Sequence, residues 1–337
     1  MRMNSPRWLA SLALGAALAI SGGVTRADDQ EIVVYNAQHE SLTQAWADGF
    51  TAETGIRVTI RQGGDLEVGN QILQEGASSP ADVFLTENSP AMVLVDNAGL
   101  FEPLPEDILS QIPAEFRPQN GHWTGIAARS TVFAYDKTKL TDADLPKSVM
   151  DLADPSWKGR WAASPAGADF QAIVAGILAL EGEEKTTSWL KSMKDNVVTY
   201  RGNRAAMAGV NKGEVPGALI YHYYWYSDQA NTKENSGNVA LHYFGNEDPG
   251  AFVSVSGGGV LKSSAKKDAA FKFLKWIAGP GGQKVLREGT SFEYAIGVGE
   301  AANAALKPIA ELGAPKLDPS QLDNKRVSEL MTAAGLI

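Results

Sequence analysis

The chain has 337 residues, 39 acidic against 30 basic side chains, a formal net charge of −9 and no cysteine. Such an acidic balance argues against a nucleic-acid or anionic-membrane partner, since both call for basic surface. The missing cysteine excludes disulfides, thiolate metal chemistry and a lipidated cysteine, and the length predicts two domains of roughly 100 to 150 residues each rather than one core.

Residues 1–27 read as a cleavable secretory signal. Arg2 and Arg7 make a charged start, Trp8 to Ile20 an apolar stretch, and Thr25-Arg26-Ala27 a small-residue cleavage site. Its removal takes away three arginines and no acid, moving the net charge to −12. No later segment reaches the ~18 to 20 apolar residues of a membrane span, so a soluble periplasmic protein without membrane insertion is expected.

Glu31 to Tyr35 reads as a buried strand. Leu42, Trp46 and Phe50 recur every four residues on a helix ending near Thr54-Gly55, and Ile56, Val58 and Ile60 alternate as a second strand. Asp82 to Thr86 is a third strand, followed by a helix from Ser89-Pro90 to Gly99, with serine as cap and proline in the first turn. This β-α-β-α-β opening predicts a parallel, doubly wound sheet with ligand-facing loops at the strands' carboxyl ends. His39 and Glu87 both follow such strand ends, where helix-end roles also explain them.

The middle of the chain reads as a strand over Thr131 to Asp136, a turn at Pro155 to Arg160, helices over Asp169 to Leu180, Thr186 to Met193 and Arg204 to Asn211, and a strand over Gly217 to Ile220. An aromatic run, Tyr221-His-Tyr-Tyr-Trp-Tyr226, follows at once. Adjacent phenols serve as hydrogen-bond donors, as apolar walls, or as phenolates held deprotonated by a strong Lewis acid such as ferric iron. The run alone leaves all three open. Neighbouring side chains of a strand point to opposite faces, so Tyr223 and Tyr224 converge on one atom only if the chain turns there; a helix over Trp225 to Thr232 supplies the turn. His222 then points away from Tyr223 if the chain is still extended, and His122 and His242 read as structural.

The C-terminal third predicts a strand over Ala251 to Val255, a tight connection at Ser256 to Gly259, and a helix over Lys266 to Ala278 with Phe271, Leu274 and Ile277 on its apolar side. Gly279 to Gly282 breaks that helix before another over Gln283 to Glu288. The glycines match neither dinucleotide nor phosphate-loop spacing. The chain has no Gly-x-Ser-x-Gly elbow and no His-Glu-x-x-His, so no enzyme class is marked.

Five ordered motifs carry a family resemblance: Tyr35-Asn-Ala-Gln-His39, Pro80 to Glu87, Asp154-Pro-Ser-Trp-Lys-Gly159, Gly213 to Leu219 with Tyr223-Tyr-Trp-Tyr226, and Asp248-Pro-Gly-Ala251. Together the chain from about Glu31 onward resembles the periplasmic ferric-ion-binding proteins of bacterial ABC importers. The resemblance implies a two-lobed type 2 periplasmic-binding-protein fold of class α/β, each lobe a doubly wound mixed sheet with the ligand cleft between. It implies a first lobe of residues 28–128 plus 252–305 and a second of 129–251 plus 306–337. His39 matches the family's histidine ligand, Glu87 its carboxylate, and Tyr223 and Tyr224 its paired tyrosinates; this set carries a charge of −3 against Fe3+ and suits a hard ion. Metal binding would clamp the two lobes together.

Relatives hold a synergistic anion on a Ser-Gly-Ala turn with an Asn two residues before the first tyrosine. Here Gly167-Ala168-Asp169 stands at the turn and Tyr221 at the Asn position. Asp169 repels an anion there and is expected to cap its helix. Further contacts are implied for Tyr221, Arg129, Asn88, Gly167 and Ala168: a third phenol from Tyr221, a carbonate rather than a phosphate held by Arg129, or water completing the octahedron. For Arg129 an interlobe or hinge salt bridge is the equal alternative. The implied partners are an inner-membrane permease and its ATPase, with ferric iron or a ferric chelate as cargo and the receptor a monomer. The competing readings are a receptor for an organic cation or an oxyanion of the thiamine, polyamine or sulfate kind, and a paired-carboxylate glycosidase.

Overall fold

The computed structural model describes residues 31–337, and the signal-peptide reading of residues 1–27 lies outside the described residues. In chain order the elements are β1 (Glu31–Asn36), α1 (Glu40–Thr54), β2 (Arg57–Gln62), α2 (Asp65–Glu75), β3 (Val83–Leu85), α3 (Ser89–Asn97), α4 (Glu106–Leu109) and β4 (Thr124–Asp136). They continue with β5 (Trp161–Ala163), α5 (Ala168–Glu181), α6 (Glu183–Asn196), β6 (Val197–Thr199), α7 (Asn203–Asn211), β7 (Gly217–Tyr221), α8 (Tyr223–Ala230) and β8 (Val239–His242). The last are β9 (Val253–Val260), α9 (Lys267–Ala278), α10 (Pro280–Glu288) and α11 (Asn324–Ala333).

The strands run in the order β2-β1-β3-β9-β4-β7-β5-β6, with β8 also on β4. β1 pairs in parallel with β2 and β3, and β5 with β6 and β7, while β9 and β4 are antiparallel to their neighbours. Both halves are therefore mixed sheets. β4 belongs to both: Thr124 to Ser130 pair with β9, and from Thr131 onward its partners are β7 and β8. One continuous strand thus joins the two lobes, and α11 returns to pack on α5 and α6.

Each sheet is covered on both faces. In the first lobe Val34, Trp46, Phe50, Val83 and Leu274 form one core and Tyr35, Ile72, Phe84, Met92 and Phe101 the other. In the second, Phe133 packs with Trp157, Trp161 and Trp189, while its strand neighbours Val132 and Ala134 face Met207 and Ile220. This is the two-residue alternation of a pleated strand.

Four expectations are corrected. β4 begins at Thr124 rather than Thr131, because its first half is buried on both faces and shows no alternation to read. β9 runs through the glycines expected to form a tight connection. They are there for close approach: a Cβ on Gly257 would lie 2.2 Å from Met92 Cγ, and on Gly258 and Gly259 2.6 Å from Leu274 Cδ1 and Phe101 Cε1. Phe273, four residues before Ile277, is the fully buried aromatic of α9, and the expected Phe271 packs only half-buried against the same core. Finally, α8 starts at Tyr223 rather than Trp225, and His222 already has helical dihedrals of φ −57° and ψ −38°.

Gly257→Ala is expected to destabilise the fold by about 1–3 kcal/mol, the range for overpacking a close-packed site. In urea denaturation the midpoint should fall with the slope unchanged.

Candidate metal centre

Three chain turns bring the centre together. β1 ends at Asn36 and His39 becomes the N-terminal boundary of α1, its carbonyl accepting from the Leu42 and Thr43 amides. β3 ends at Leu85, and Asp65, at the start of α2, accepts the Glu87 and Asn88 amides at 2.8 and 3.0 Å, which fixes Glu87 at the mouth of α3. In the second lobe the turn at His222 swings Tyr223 and Tyr224 onto one side, with ring centroids 4.2 Å apart.

The predicted four converge. His39 Nε2 lies 3.2 Å from Glu87 Oε1, and the Tyr223 hydroxyl donates to the same oxygen at 2.8 Å. Asp169, from the first turn of α5, accepts from the Tyr224 hydroxyl at 2.9 Å and from Tyr223 at 3.3 Å on its Oδ2, where Asn203 Nδ2 also donates at 2.8 Å. Asp169 is therefore not the helix cap it was expected to be. Gly167 holds that position without a side-chain bond, its amide donating to Ser164 O, and Ala168 is the first helical residue. The Asp169 carboxylate accepts the phenol hydroxyls in place of a backbone amide.

The residues named as further contacts take protein partners. The buried Tyr221 hydroxyl donates to Asn88 Oδ1 and to the Asp169 carbonyl, each at 3.3 Å. Asn88 spans the lobes, donating to Asp65 Oδ2 and Asp169 Oδ1 while accepting from Ser254. Arg129 is fully buried; its Nη1 donates to the Glu87 carbonyl and its Nη2 to Ser256 and Glu293. Its Nε alone lacks a partner. His222 does not point clear of the centre, because the chain has already turned: its ring meets Tyr223 edge-on at 6.2 Å, stacks on Tyr294 at 4.7 Å and accepts the Ser130 amide on Nδ1. His122 pairs with Asp96 and His242 with the Pro146 carbonyl, both structural contacts as read from sequence.

Sequence reasoning missed Asp65, Asn203 and Glu293, and misassigned Asp169. Asp65 and Asn203 sit at helix starts, where small polar residues have ordinary capping explanations. Glu293 follows α10 in an irregular stretch with no motif.

Burial and charge set the protonation. Burial, then the charges of Asp169 and Glu87, push both the Tyr223 and Tyr224 phenols well above their usual range. Burial and the neighbouring Glu87 raise Asp169 to about 6 and Asp65 to about 8. Burial alone would lower the His39 imidazole, but its hydrogen bonds to Glu293 and Glu87 outweigh that and hold it at about 10. Burial would likewise raise Glu293, yet Arg129 and His39 bring it down to about 2. Among the described residues no group of three or more His, Cys, Asp or Glu side chains is arranged to hold a metal; a metal assignment here rests on the tyrosine oxygens.

The sequence matches the family of bacterial extracellular solute-binding proteins over residues 78–320. The chain belongs to this family. Among its relatives, the Fe(3+)-binding periplasmic protein of Serratia marcescens is 58% identical over 337 residues, covering 100% of this chain and 99% of the relative. The major ferric iron-binding protein of Neisseria meningitidis serogroup B is 36% identical over 309 residues, covering 91% and 93%. The crystal structure of iron-bound HitA from Pseudomonas aeruginosa superposes with a TM-score of 0.86 at 43% identity, covering 91% of this chain and 99% of that one. The two sequence relatives are named as ferric-iron-binding proteins, and for a solute-binding protein of a two-lobed fold the cleft between the lobes is where ligand is held.

The protonation pattern gives the metal-free solute-binding protein a definite pH dependence. Asp169, Asp65 and His39 have folded values near 6, 8 and 10, above their usual 3.8, 3.8 and 6.5, so their protonated forms favour the fold. That contribution is complete below the usual values and is lost as pH rises through the folded ones. Glu293 acts oppositely, but only below about pH 4.5. Burial lowers His222 to about 3, which opposes this trend up to about pH 6.5, so thermal unfolding of metal-free protein should show a falling Tm between pH 6.5 and pH 9; a rising Tm there would contradict the assigned protonation states.

Proposed function

We propose that the chain is the periplasmic receptor of an ABC importer, binding ferric iron between its lobes and handing it to an inner-membrane permease and its ATPase. The observation that carries this is the convergence of His39 and Glu87 from the first lobe with Tyr223 and Tyr224 from the second, Asp169 being hydrogen-bonded to both phenols. Hard anionic oxygens are what a small trivalent ion prefers. The ferric-iron-binding relatives favour this reading over the organic-cation, oxyanion and glycosidase alternatives, and the protein is read as a monomeric carrier that performs no reaction.

Without metal, the cleft is bridged by the Tyr223 hydroxyl, which donates to Glu87, while within the second lobe Asp169 accepts the Tyr224 proton in a hydrogen bond. Iron would take the place of those protons. Its charge lets the phenols ionise despite their burial, as bound cations do for their ligands. Asp169 would supply the fifth donor, its carboxylate standing where a separate anion would otherwise be needed, with water filling the sixth position. The lobes would turn about the two strand crossings at Ser130-Thr131 and Phe252-Val253, with residues 28–128 plus 252–305 moving against 129–251 plus 306–337. Opening separates His39 and Glu87 from the tyrosines, and proton return to the phenols completes release.

Titrating metal-stripped protein with ferric citrate should produce a visible phenolate-to-iron charge-transfer band that saturates at one equivalent and is absent from Tyr223→Phe/Tyr224→Phe. With Asp169→Ala, binding should weaken and recover in part on adding bicarbonate or phosphate; the unaltered protein should be indifferent to both. No band and no thermal stabilisation by iron would sink the ferric reading. At neutral pH each ion bound should release about three protons, from His39 Nε2 and the two phenols, read with a pH indicator in weakly buffered solution using a fully ionised iron donor as reference.

A further inference from the structure

His39 has two ring nitrogens and only one can face the cleft. Nε2 does so, beside Glu87. Nδ1 lies 3.0 Å from Oε1 of Glu293, a residue 254 positions further along the chain and fully buried. The other carboxylate oxygen of Glu293 receives Arg129 Nη2 and, at 3.1 Å, Gln38 Nε2, with the Ser256 hydroxyl at 3.4 Å. Arg129 in turn holds the Glu87 carbonyl, and Ser256 donates to that same carbonyl at 3.1 Å. The backbone of one candidate ligand and the ring of another are thus tied to a single buried ion pair.

We infer that Glu293 is a positioning residue for the metal site, accepting the Nδ1–H of His39 so that Nε2 is aimed into the cleft, with Arg129 holding the carboxylate in place. The inference rests on the ferric reading above and adds to it an ordering: the first lobe's half of the site is set before metal arrives. The physical logic is that of metal-bound histidines generally, whose second nitrogen donates to an oxygen that fixes the ring and strengthens the first as a donor. Arg129 is what allows that oxygen to be a carboxylate. Without a partner, a fully buried anion would be too costly to keep ionised; with one, Glu293 adds no net charge. The phenols come from the other lobe, and although Arg129 lies 5.7 Å from the Tyr223 ring centroid, their hydroxyls bond to Glu87 and Asp169 and not to Glu293, so their charge-transfer band should survive the loss of Glu293.

A double-mutant cycle on the full mature chain tests this, with iron affinity measured by competition against citrate at fixed pH. Glu293→Gln should lower affinity by about 10- to 100-fold, the range for outer-shell partners of metal ligands. In a His39→Gln background the same change should cost less than about threefold, because the residue it acts through is already gone. Equal losses in both backgrounds, or no loss in either, would overturn the assignment and leave the pair a packing feature. Should Glu293→Gln fail to fold because Arg129 is left unpaired, Arg129→Met/Glu293→Gln serves instead: the penalty of His39→Gln should shrink by the same factor in that background, and an undiminished penalty overturns the inference. Unaltered protein that shows no band and no binding would refute the ferric reading itself; normal binding by it with additive losses refutes only the role of Glu293.

Discussion

Four carboxylates, Asp65, Glu87, Asp169 and Glu293, crowd one cleft, and the cations set against them are the buried Arg129 and the half-buried, protonated His39 ring. Asp65, Asp169 and Glu293 are buried, so their charge cannot be screened away as it would be at a surface. In the metal-free molecule protons make up the difference: Asp169 and Asp65 titrate late, His39 holds its proton, and both phenols stay neutral and donate to carboxylates. Most of the surrounding architecture can be understood as the means of holding this acid-rich group together. A trivalent cation satisfies the same oxygens without protons, which is why the arrangement suits ferric iron and why uptake and acidity should oppose one another.

The fold supplies the geometry through strand ends. His39 follows β1, Glu87 follows β3 and the tyrosines follow β7, so each lobe offers the carboxyl edge of its sheet to the cleft, as doubly wound sheets do. β4 makes the two edges face each other because its first half belongs to one sheet and its second half to the other. Arg129 is among the last residues of that first half, and its partner Ser254 on β9 also reaches the cleft through Asn88. The strand crossing between the lobes and the candidate metal site are consequently built from the same few residues. A change at Arg129 or Ser254 would be felt in lobe closure as well as in binding.

Asp169 illustrates how a sequence can place a residue yet misstate its work. An aspartate within the first turn of a helix has a ready explanation as a cap, and nothing local argues otherwise. In the folded chain Gly167 already occupies the boundary, and β7, some fifty residues later, delivers two phenols to the carboxylate. The glycines of β9 were misread for a comparable reason: their role is to let Met92, Leu274 and Phe101 approach a strand, and those side chains come from three distant elements.

The sequence by itself determined the class of the fold and the strand-end positions of His39 and Glu87, because these rest on local periodicity, on the twofold alternation of strands and on motifs that hold their order, and it marked the tyrosine pair as candidate donors. It also determined that the tyrosines could act together only if the chain turned beside them. Only the tertiary structure decided that the turn falls at His222, that Arg129 is spoken for by Glu293, that Asp169 joins the phenols, and that Glu293 stands behind His39. These are contacts between residues separated by about 50 to 250 positions. Their energies come from burial and charge, which belong to a place in the folded molecule and leave no period or spacing in the chain to be read.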